Sequence, residues 1–538
     1  MSVELCFVFI TSFLIRYLPT IFAPVGHDTY GHLCFAKAVR HQRTGPFGTL
    51  SLPVIGSSSF ARPFLWHWCF SVFDERFLLK NQKFINPIID AGFAVVVYYI
   101  APLYVGTESG AAATVWLLYL LSPITFTGLA IGPRVNTLTP RLASEIAANG
   151  MFLFLLNPSL TDGRLSLLGA SLFLSLLLGL GKFGNQVAVF ILPLYSLISV
   201  TTGPIIVLVS GAVLILGISR GRIVESWRQQ LEHLKWYFKA NNDGKVGVSM
   251  RNSVRRLFSA TENTRTFKTH CLLVVRRAIG MNSYTGVFLK MPVLVVGVAL
   301  MTVFLSSDVE MVSMEGSSAL VVASIVVYLI TSTRRFLFLG EAERYLSHAI
   351  VPIVLWASTL ISQFSLGSLI NVGLIGYGVV FWLLEVLGGR KLVYLQAEKE
   401  EIIRDEVLPY LNGLEPKRKV LLYGYEAVSV YRVMLETQHY VFFPMLARKE
   451  VHDQMIKLQE VHPFVKLESL GTIQREYGVN ILILSREDLK RRGHSEWNPG
   501  PEWKELDIGR EFFRIFVFVE SDSGIGGIPT GDGNAGPD

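Results

Sequence analysis

The chain has 538 residues, of which 51% are hydrophobic and only 17% charged, and its mean hydropathy is +0.43. Soluble domains carry about 25% charged residues, so the composition excludes an ordinary soluble protein and indicates an integral membrane protein. The net charge of +7 suits anionic lipid and phosphate partners rather than nucleic acid, because the basic residues fall in loops between apolar runs.

A transmembrane helix needs about 20 mostly apolar residues. Spans are predicted near 3–22, 85–105, 109–129, 141–157, 165–181, 186–201, 204–219, 291–307, 318–333, 348–365 and 369–388. The expected fold is therefore an α-helical polytopic membrane protein of about eleven transmembrane helices. No A-x-A-like cleavage site follows residues 3–22, so they are taken as an uncleaved first span rather than a signal peptide. The membrane domain is expected over 1–389.

The first large loop, 24–84, opens with Pro24 to Arg40, PVGHDTYGHLCFAKAVR. It sets Asp28 and two histidines, His27 and His32, at the mouth of a span, and Asp28 and His32 are four apart, on one face if the stretch is helical. Such a carboxylate can take a proton from a hydroxyl or help hold a divalent metal. The same spacing also suits Asp28 as a helix N-cap. Pro63 to Phe73 is a short aromatic helix suited to the membrane interface. Cys34 and Cys69 share this loop and could pair if it faces an oxidising compartment; the four cysteines show no metal-site spacing.

Further along, Thr139-Pro140-Arg141 opens the fourth span, with Glu145 one turn on. Thr at the N-cap and Pro at the next position are ordinary helix starts, whereas Arg141 opposes the helix dipole and needs Glu145 or a phosphate. Lys182, in GLGKFGNQ, is an ionisable group either at membrane depth or snorkelling from a turn. Arg16, inside the first span, needs a buried partner, and Asp90 is a candidate. The loop 220–290 is strongly basic with interleaved aromatics, as in an amphipathic helix on an anionic surface. In GEAERYL (340–346), Glu341 and Arg344 are three apart and can pair on the surface; alternatively Arg344 grips a phosphate, for which its planar fork is suited.

After Gly389 the composition becomes soluble. A charged helix over 394–412 and strands at 421–425, 439–444, 478–485 and 512–520 predict a small C-terminal α/β domain over 390–520. The Gly-, Asp- and Pro-rich tail 521–538 is expected to be disordered. No GxxxxGK[ST], GxGxxG, HExxH or GxSxG motif occurs in a supporting context, which argues against an ATP-driven pump. With the N-terminus inside and eleven spans, the polar loops all lie outside, against the positive-inside rule; inverted, they all lie inside. Either way the motifs share one face of the membrane.

The order of these motifs resembles the GT-C superfamily of polytopic glycosyltransferases, which use polyprenyl-phosphate-linked sugars. The resemblance rests on Arg16-Tyr17, D-x-Y-x-H (Asp28, Tyr30, His32), the Pro-aromatic segment from Arg62 to Trp68, T-P-R-x-x-x-E (Thr139 to Glu145), G-K-F-G (Gly181 to Gly184) and G-E-x-E-R-Y-L (Gly340 to Leu346). It implies Asp28 as catalytic base and His27, His32, Arg62, Arg141, Glu145, Lys182, Arg344 and Tyr345 as residues binding substrate or phosphate. It further implies a divalent metal, Mg or Mn, on Asp28 and Glu145 if one is used; His27 stands where a second acid is usual, against metal dependence. No W-W-D motif is present, which speaks against peptide-sequon recognition. The function so implied is transfer of a sugar from a polyprenyl-phosphate donor to a lipid, glycan or protein, on the extracytoplasmic side of the plasma membrane. The alternatives are a flippase or transporter for a polysaccharide or lipid intermediate, and a non-catalytic membrane assembly factor.

Overall fold

The computed structural model describes residues 3–23, 25–56, 60–106, 110–127, 137–156, 163–243, 252, 282–306, 315–424, 428–444, 449–461 and 464–519. The expected tail 521–538, most of the basic loop with Arg251, Arg255, Arg256, Arg265, Arg276, Arg277 and Cys271, and the side chain of His27 lie outside the described residues. The chain divides into two compact units, one of residues 1–52 and 57–400, the other of 53–56 and 401–538.

The first unit is helical. Its opening helix α1 (Val3–Ile21) packs on α4 (Glu75–Ile100), and between them lie α2 (His27–Gln42), the two-residue strands β1 (Thr49–Leu50) and β2 (Phe60–Ala61), and α3 (Leu65–Phe70). Then follow α5 (Pro102–Val105), α6 (Ala111–Leu121), α7 (Arg141–Leu156), α8 (Gly163–Leu180), α9 (Lys182–Ser199), α10 (Gly203–Ile218) and α11 (Ile223–Asn242). Among the described residues four helices are long and apolar enough to cross a membrane, or up to six if two sharply bent pairs each make one span. The bends are 116° between α10 and α11 and 91° between Ser283–Lys290 and Pro292–Ser306. Several of the eleven expected spans are thus shorter apolar helices, including Ala111–Leu121 and Ile350–Ser362. Ala111–Leu121 stops where Ser122-Pro123 opens a 3₁₀ turn.

The expected last span and the expected charged helix after it form one continuous helix, Gly367–Ile402. No helix breaker separates them, because Gly388-Gly389 weakens a helix without ending it. Close helix packing rests on small residues: a Cβ on Gly211 would lie 2.7 Å from Leu174. Buried inside is the ion pair expected from sequence. Arg16 Nε donates to Asp90 Oδ2 at 2.5 Å, Tyr119 Oη donates to Asp90 Oδ1 at 2.6 Å, and Arg16 Nη1 donates to the Leu120 carbonyl at 2.7 Å. Every strong partner the carboxylate needs in low dielectric is local, which is what permits two charges there. Among the described residues Cys6, Cys34 and Cys69 form no disulfide.

In the second unit a five-stranded sheet has the order β4-β3-β7-β9-β8, formed by β3 (Lys419–Tyr423), β4 (Tyr440–Val441), β7 (Ile481–Ser485), β8 (Trp503–Leu506) and β9 (Phe513–Phe518). A separate hairpin pairs β5 (Gln459–Val461) with β6 (Phe464–Val465). Central β7 is parallel to β3 and antiparallel to β9, and all five of its residues are buried; such a strand reads as a continuous apolar run. Edge strand β8, WKEL, has only its first residue buried, which is why no strand is predicted from its sequence.

Candidate functional site

Helix α2 carries Asp28. Its N-cap is Gly26, not Asp28; the acid stands two residues later in the first turn, favourable to the helix dipole, with its side chain exposed. The helix start is pinned from both sides. Thr29 Oγ1 donates to Gln82 Oε1 of α4 at 3.2 Å and accepts from the Leu138 amide at 3.2 Å. A Cβ on Gly26 would lie 2.9 Å from Thr137 Oγ1. One turn after Asp28, His32 Nδ1 meets His67 Nε2 of α3 at 2.7 Å, with the rings 5.0 Å apart and 18° from parallel. Burial lowers the His32 pKa to about 4 against the pull of Asp28, and burial followed by the neighbouring His32 and Arg62 lowers that of His67 well below the usual range.

Arg62 follows β2 and acts electrostatically on both histidines, with its guanidinium 5.7 Å from the Phe35 ring. Lys182 is the first residue of α9, immediately after the Gly181 break, so it lies at a helix end rather than within a span. Its Nζ stands 5.9 Å from the Phe183 ring and 5.7 Å from that of Tyr237, and it lies within the electrostatic reach of Arg62, Arg344 and Glu341. Helix α11, predicted only to lie on a lipid surface, ties this region together. Its Gln229 accepts from the Ala61 amide at 2.7 Å beside Arg62, and its Gln230 accepts from Asn185 at 2.9 Å beside Lys182.

The GEAERYL segment sorts its side chains by position. Arg344 pairs with Glu341 at 2.8 Å and lies 4.0 Å over the Phe183 ring, so the expected surface pair forms in the same place as the cation cluster. Glu343 turns inward instead. It takes Lys290 Nζ at 3.3 Å and Ser283 Oγ at 3.0 Å, both buried. Tyr345 also turns inward, fully buried, its hydroxyl 3.3 Å from Gln186 Oε1 and its ring against Phe190. The structure therefore packs Tyr345 between helices, with Arg344 as its charged neighbour. Gly340 permits the turn: its φ of +109° with ψ −159° is open essentially only to glycine, and a Cβ there would lie 2.6 Å from Phe183.

Arg141, first residue of α7, donates from Nε to Glu145 Oε1 at 3.1 Å, and Ser347 Oγ donates to the same oxygen at 2.8 Å. His348 bridges the two segments. Its Nδ1–H donates to the Arg344 carbonyl at 2.6 Å, leaving Nε2 to accept from Ser144 Oγ at 3.1 Å. Arg141 is in turn within the field of Arg344 and Glu341. Asp28, His32, Arg62, Lys182, Arg344, Arg141 and Glu145 thus form one chain of contacts and electrostatic neighbours drawn from five separate stretches of sequence. Sequence reading missed His67, Tyr237 and His348. His67 sits in an aromatic run that reads as interface, and His348 at the start of an apolar helix; a histidine in an otherwise apolar run was the only available signal.

Among the described residues the donor set does not suit the divalent metal that the resemblance raised. Glu145 Oε1 is engaged by Arg141 and Ser347, and the groups beyond Asp28 are His32 and the cation Arg62. A hard divalent cation takes about six oxygen ligands, and among the described residues no three His, Cys, Asp or Glu side chains converge.

No family model matches the chain, and no curated protein does. Solved structures do. The archaeal oligosaccharyltransferase AglB from Archaeoglobus fulgidus, in complex with an inhibitory peptide and a dolichol-phosphate, superposes with a TM-score of 0.51 at 11% identity, over 97% of this chain and 75% of that one. The same organism's oligosaccharyltransferase tethered to an acceptor peptide containing the NVT sequon gives 0.51 at 11% identity, over 90% and 70%. ArnT from Cupriavidus metallidurans in the apo state is 13% identical over 95% and 97%, with a TM-score of 0.39. At 11% identity the likeness to the archaeal oligosaccharyltransferase is one of fold.

Proposed function

We propose that the protein is an inverting membrane glycosyltransferase that moves a sugar from a polyprenyl-phosphate donor to an acceptor hydroxyl. The observation that carries this reading is an exposed carboxylate, Asp28, at one end of a cluster of cations, Arg62, Lys182, Arg344 and Arg141, on a fold shared with a dolichol-phosphate-bound enzyme. Asp28 takes the acceptor proton as the acceptor oxygen bonds to sugar C1. The C1–O bond to phosphate breaks with its electron pair going to the phosphate, and the cations balance the charge that develops there. Glu341 and Glu145 hold the guanidinium forks of Arg344 and Arg141 in place. No step runs through a metal. In this reading the acceptor is a lipid, glycan or protein, and the site faces the extracytoplasmic side of the plasma membrane.

Purified full-length protein in lipid, given a panel of polyprenyl-phosphate sugars, tests the reading. Asp28→Asn is expected to lower transfer by about 10²–10⁴-fold, the usual worth of a positioned base, without changing thermal unfolding, and chelator is expected to have no effect. An active Asp28→Asn protein overturns the assignment. A flippase is the second reading, favoured by the two broken helix pairs, which in transporters line substrate paths. Movement of a labelled lipid intermediate across vesicles without transfer would support it.

A further inference from the structure

The His32–His67 contact contains more than proximity. Two imidazole nitrogens 2.7 Å apart share a single proton, so one ring donates and the other accepts. Burial keeps both rings neutral. A neutral imidazole carries one N–H, so the direction of this bond also decides what each ring's second nitrogen is. If His32 donates, its Nε2 is a bare lone pair and His67 Nδ1 carries a proton. If His67 donates, His32 Nε2 carries the proton and His67 Nδ1 is the bare lone pair.

Three observations choose between these. His67 is 5% exposed, and its Nδ1 has no hydrogen-bond partner among the described residues. Burying a donor N–H without an acceptor is the rarer arrangement in proteins. The cation nearest the pair in effect on His67 is Arg62, which favours a lone pair there over an N–H. On the His32 side, the largest charge is Asp28, one turn away on the same face, which favours an N–H directed outward. All three select the state in which His67 donates. The ring of His67 cannot turn to change this, being boxed edge-on by Phe35 at 5.3 Å and Phe64 at 5.7 Å.

We propose that His67 is a positioning residue that fixes His32 as a neutral Nε2–H donor, so that His32 holds a substrate oxygen beside Asp28 and cannot compete with Asp28 as base. A carbonyl partner accepts from Nδ1–H and leaves Nε2 a lone pair; a donating imidazole at Nδ1 fixes the opposite tautomer, with the proton on Nε2. The proposal rests on the glycosyltransferase reading for the identity of the oxygen, which belongs to the donor or acceptor, but not for the tautomer. His32 Nε2–H would bind any oxygen acceptor brought to Asp28.

The test is ¹⁵N solid-state NMR of the full-length protein in lipid with ¹⁵N-labelled histidine, using His32→Gln and His67→Gln to assign the two rings. The expected wild-type spectrum at neutral pH shows His32 as the neutral Nε2–H tautomer and His67 as Nε2–H, with His32 protonating only near pH 4. In His67→Leu the His32 Nδ1 loses its donor, so mixed Nδ1–H and Nε2–H tautomers of His32 are expected. In His67→Gln, whose amide N–H can occupy the place of Nε2–H, the wild-type His32 signals are expected to persist. In transfer assays His67→Leu is expected to lose about tenfold in kcat/KM, the worth of one hydrogen bond, with His67→Gln largely rescued. Finding His32 as the Nδ1–H tautomer or as imidazolium at neutral pH overturns the proposal, as does a His67→Leu protein with an unchanged His32 spectrum. Absence of transfer with the expected spectrum removes the enzymatic reading and leaves the tautomer assignment standing.

Discussion

Gly340 connects backbone geometry to the cation cluster most directly, and Gly340→Ala exposes the connection. At φ +109° and ψ −159° an L residue is held in a region essentially reserved for glycine, at a cost of about 1–3 kcal/mol. The new Cβ would also stand 2.6 Å from Phe183 Cε1, closer than real Cβ contacts come, so the ring must shift. That ring lies 4.0 Å beneath the Arg344 guanidinium, a contact worth about 0.5–2 kcal/mol. The loop can relax only by moving Arg344 off Phe183 and off its place beside Lys182. At about 1.4 kcal/mol per factor of ten, the strain alone corresponds to roughly 5–150-fold. Gly340→Ala is therefore expected to lower kcat/KM by on the order of tenfold or more, with a modest fall in Tm. Phe183→Ala alone is expected to cost only the cation–π contact, and the double variant should be less impaired than the two losses added, because the clash is gone while the φ strain remains. Turnover and thermal unfolding of the four proteins form the cycle. A Gly340→Ala protein with wild-type activity and Tm, or strictly additive losses, refutes the reasoning.

Asp90→Ala leaves the Arg16 guanidinium buried without its carboxylate and is expected to lower stability by about 3–5 kcal/mol. The double variant Arg16→Met/Asp90→Leu should recover much of this, and a double variant as unstable as Asp90→Ala in detergent unfolding would count against it. Arg344→Lys keeps the charge but loses the fork held by Glu341 and the stacking on Phe183; transfer is expected to fall about tenfold with Tm unchanged, and full activity would show that charge alone suffices. His32 has its pKa lowered to about 4 from 6.5, so below 6.5 the unfolded chain binds a proton that the fold does not. Its contribution is complete above pH 6.5, declines as pH falls, and stops declining near 4. Tm measured across that window should fall on acidification and fall less in His32→Gln; identical slopes would refute it.

How much of this could be read from the residues follows from the range of the forces involved. Apolar composition, the early spans, helix α2 and the buried strand β7 are local matters of burial and periodicity, and they were legible. So was the Arg16–Asp90 pair, because two charges in adjacent apolar spans leave few other partners in a membrane. The motif order also brought out most of the cluster, since Asp28, Arg62, Arg141, Lys182 and Arg344 are conspicuous charges beside apolar helices. Span lengths were only partly legible: the breaks near 219 and 291 were read from sequence, but the bend angles of 116° and 91° there were not. Nor could sequence sort Glu341 and Arg344 from Glu343 and Tyr345 within one seven-residue motif, which depends on the Gly340 turn. The pairing of His32 with His67, 35 residues apart, is tertiary altogether. Composition and periodicity determined that this is a helical membrane protein with an acid at the mouth of a span. Only the folded chain, by closing loops between distant segments, decided which charges face one another and set His32 against His67.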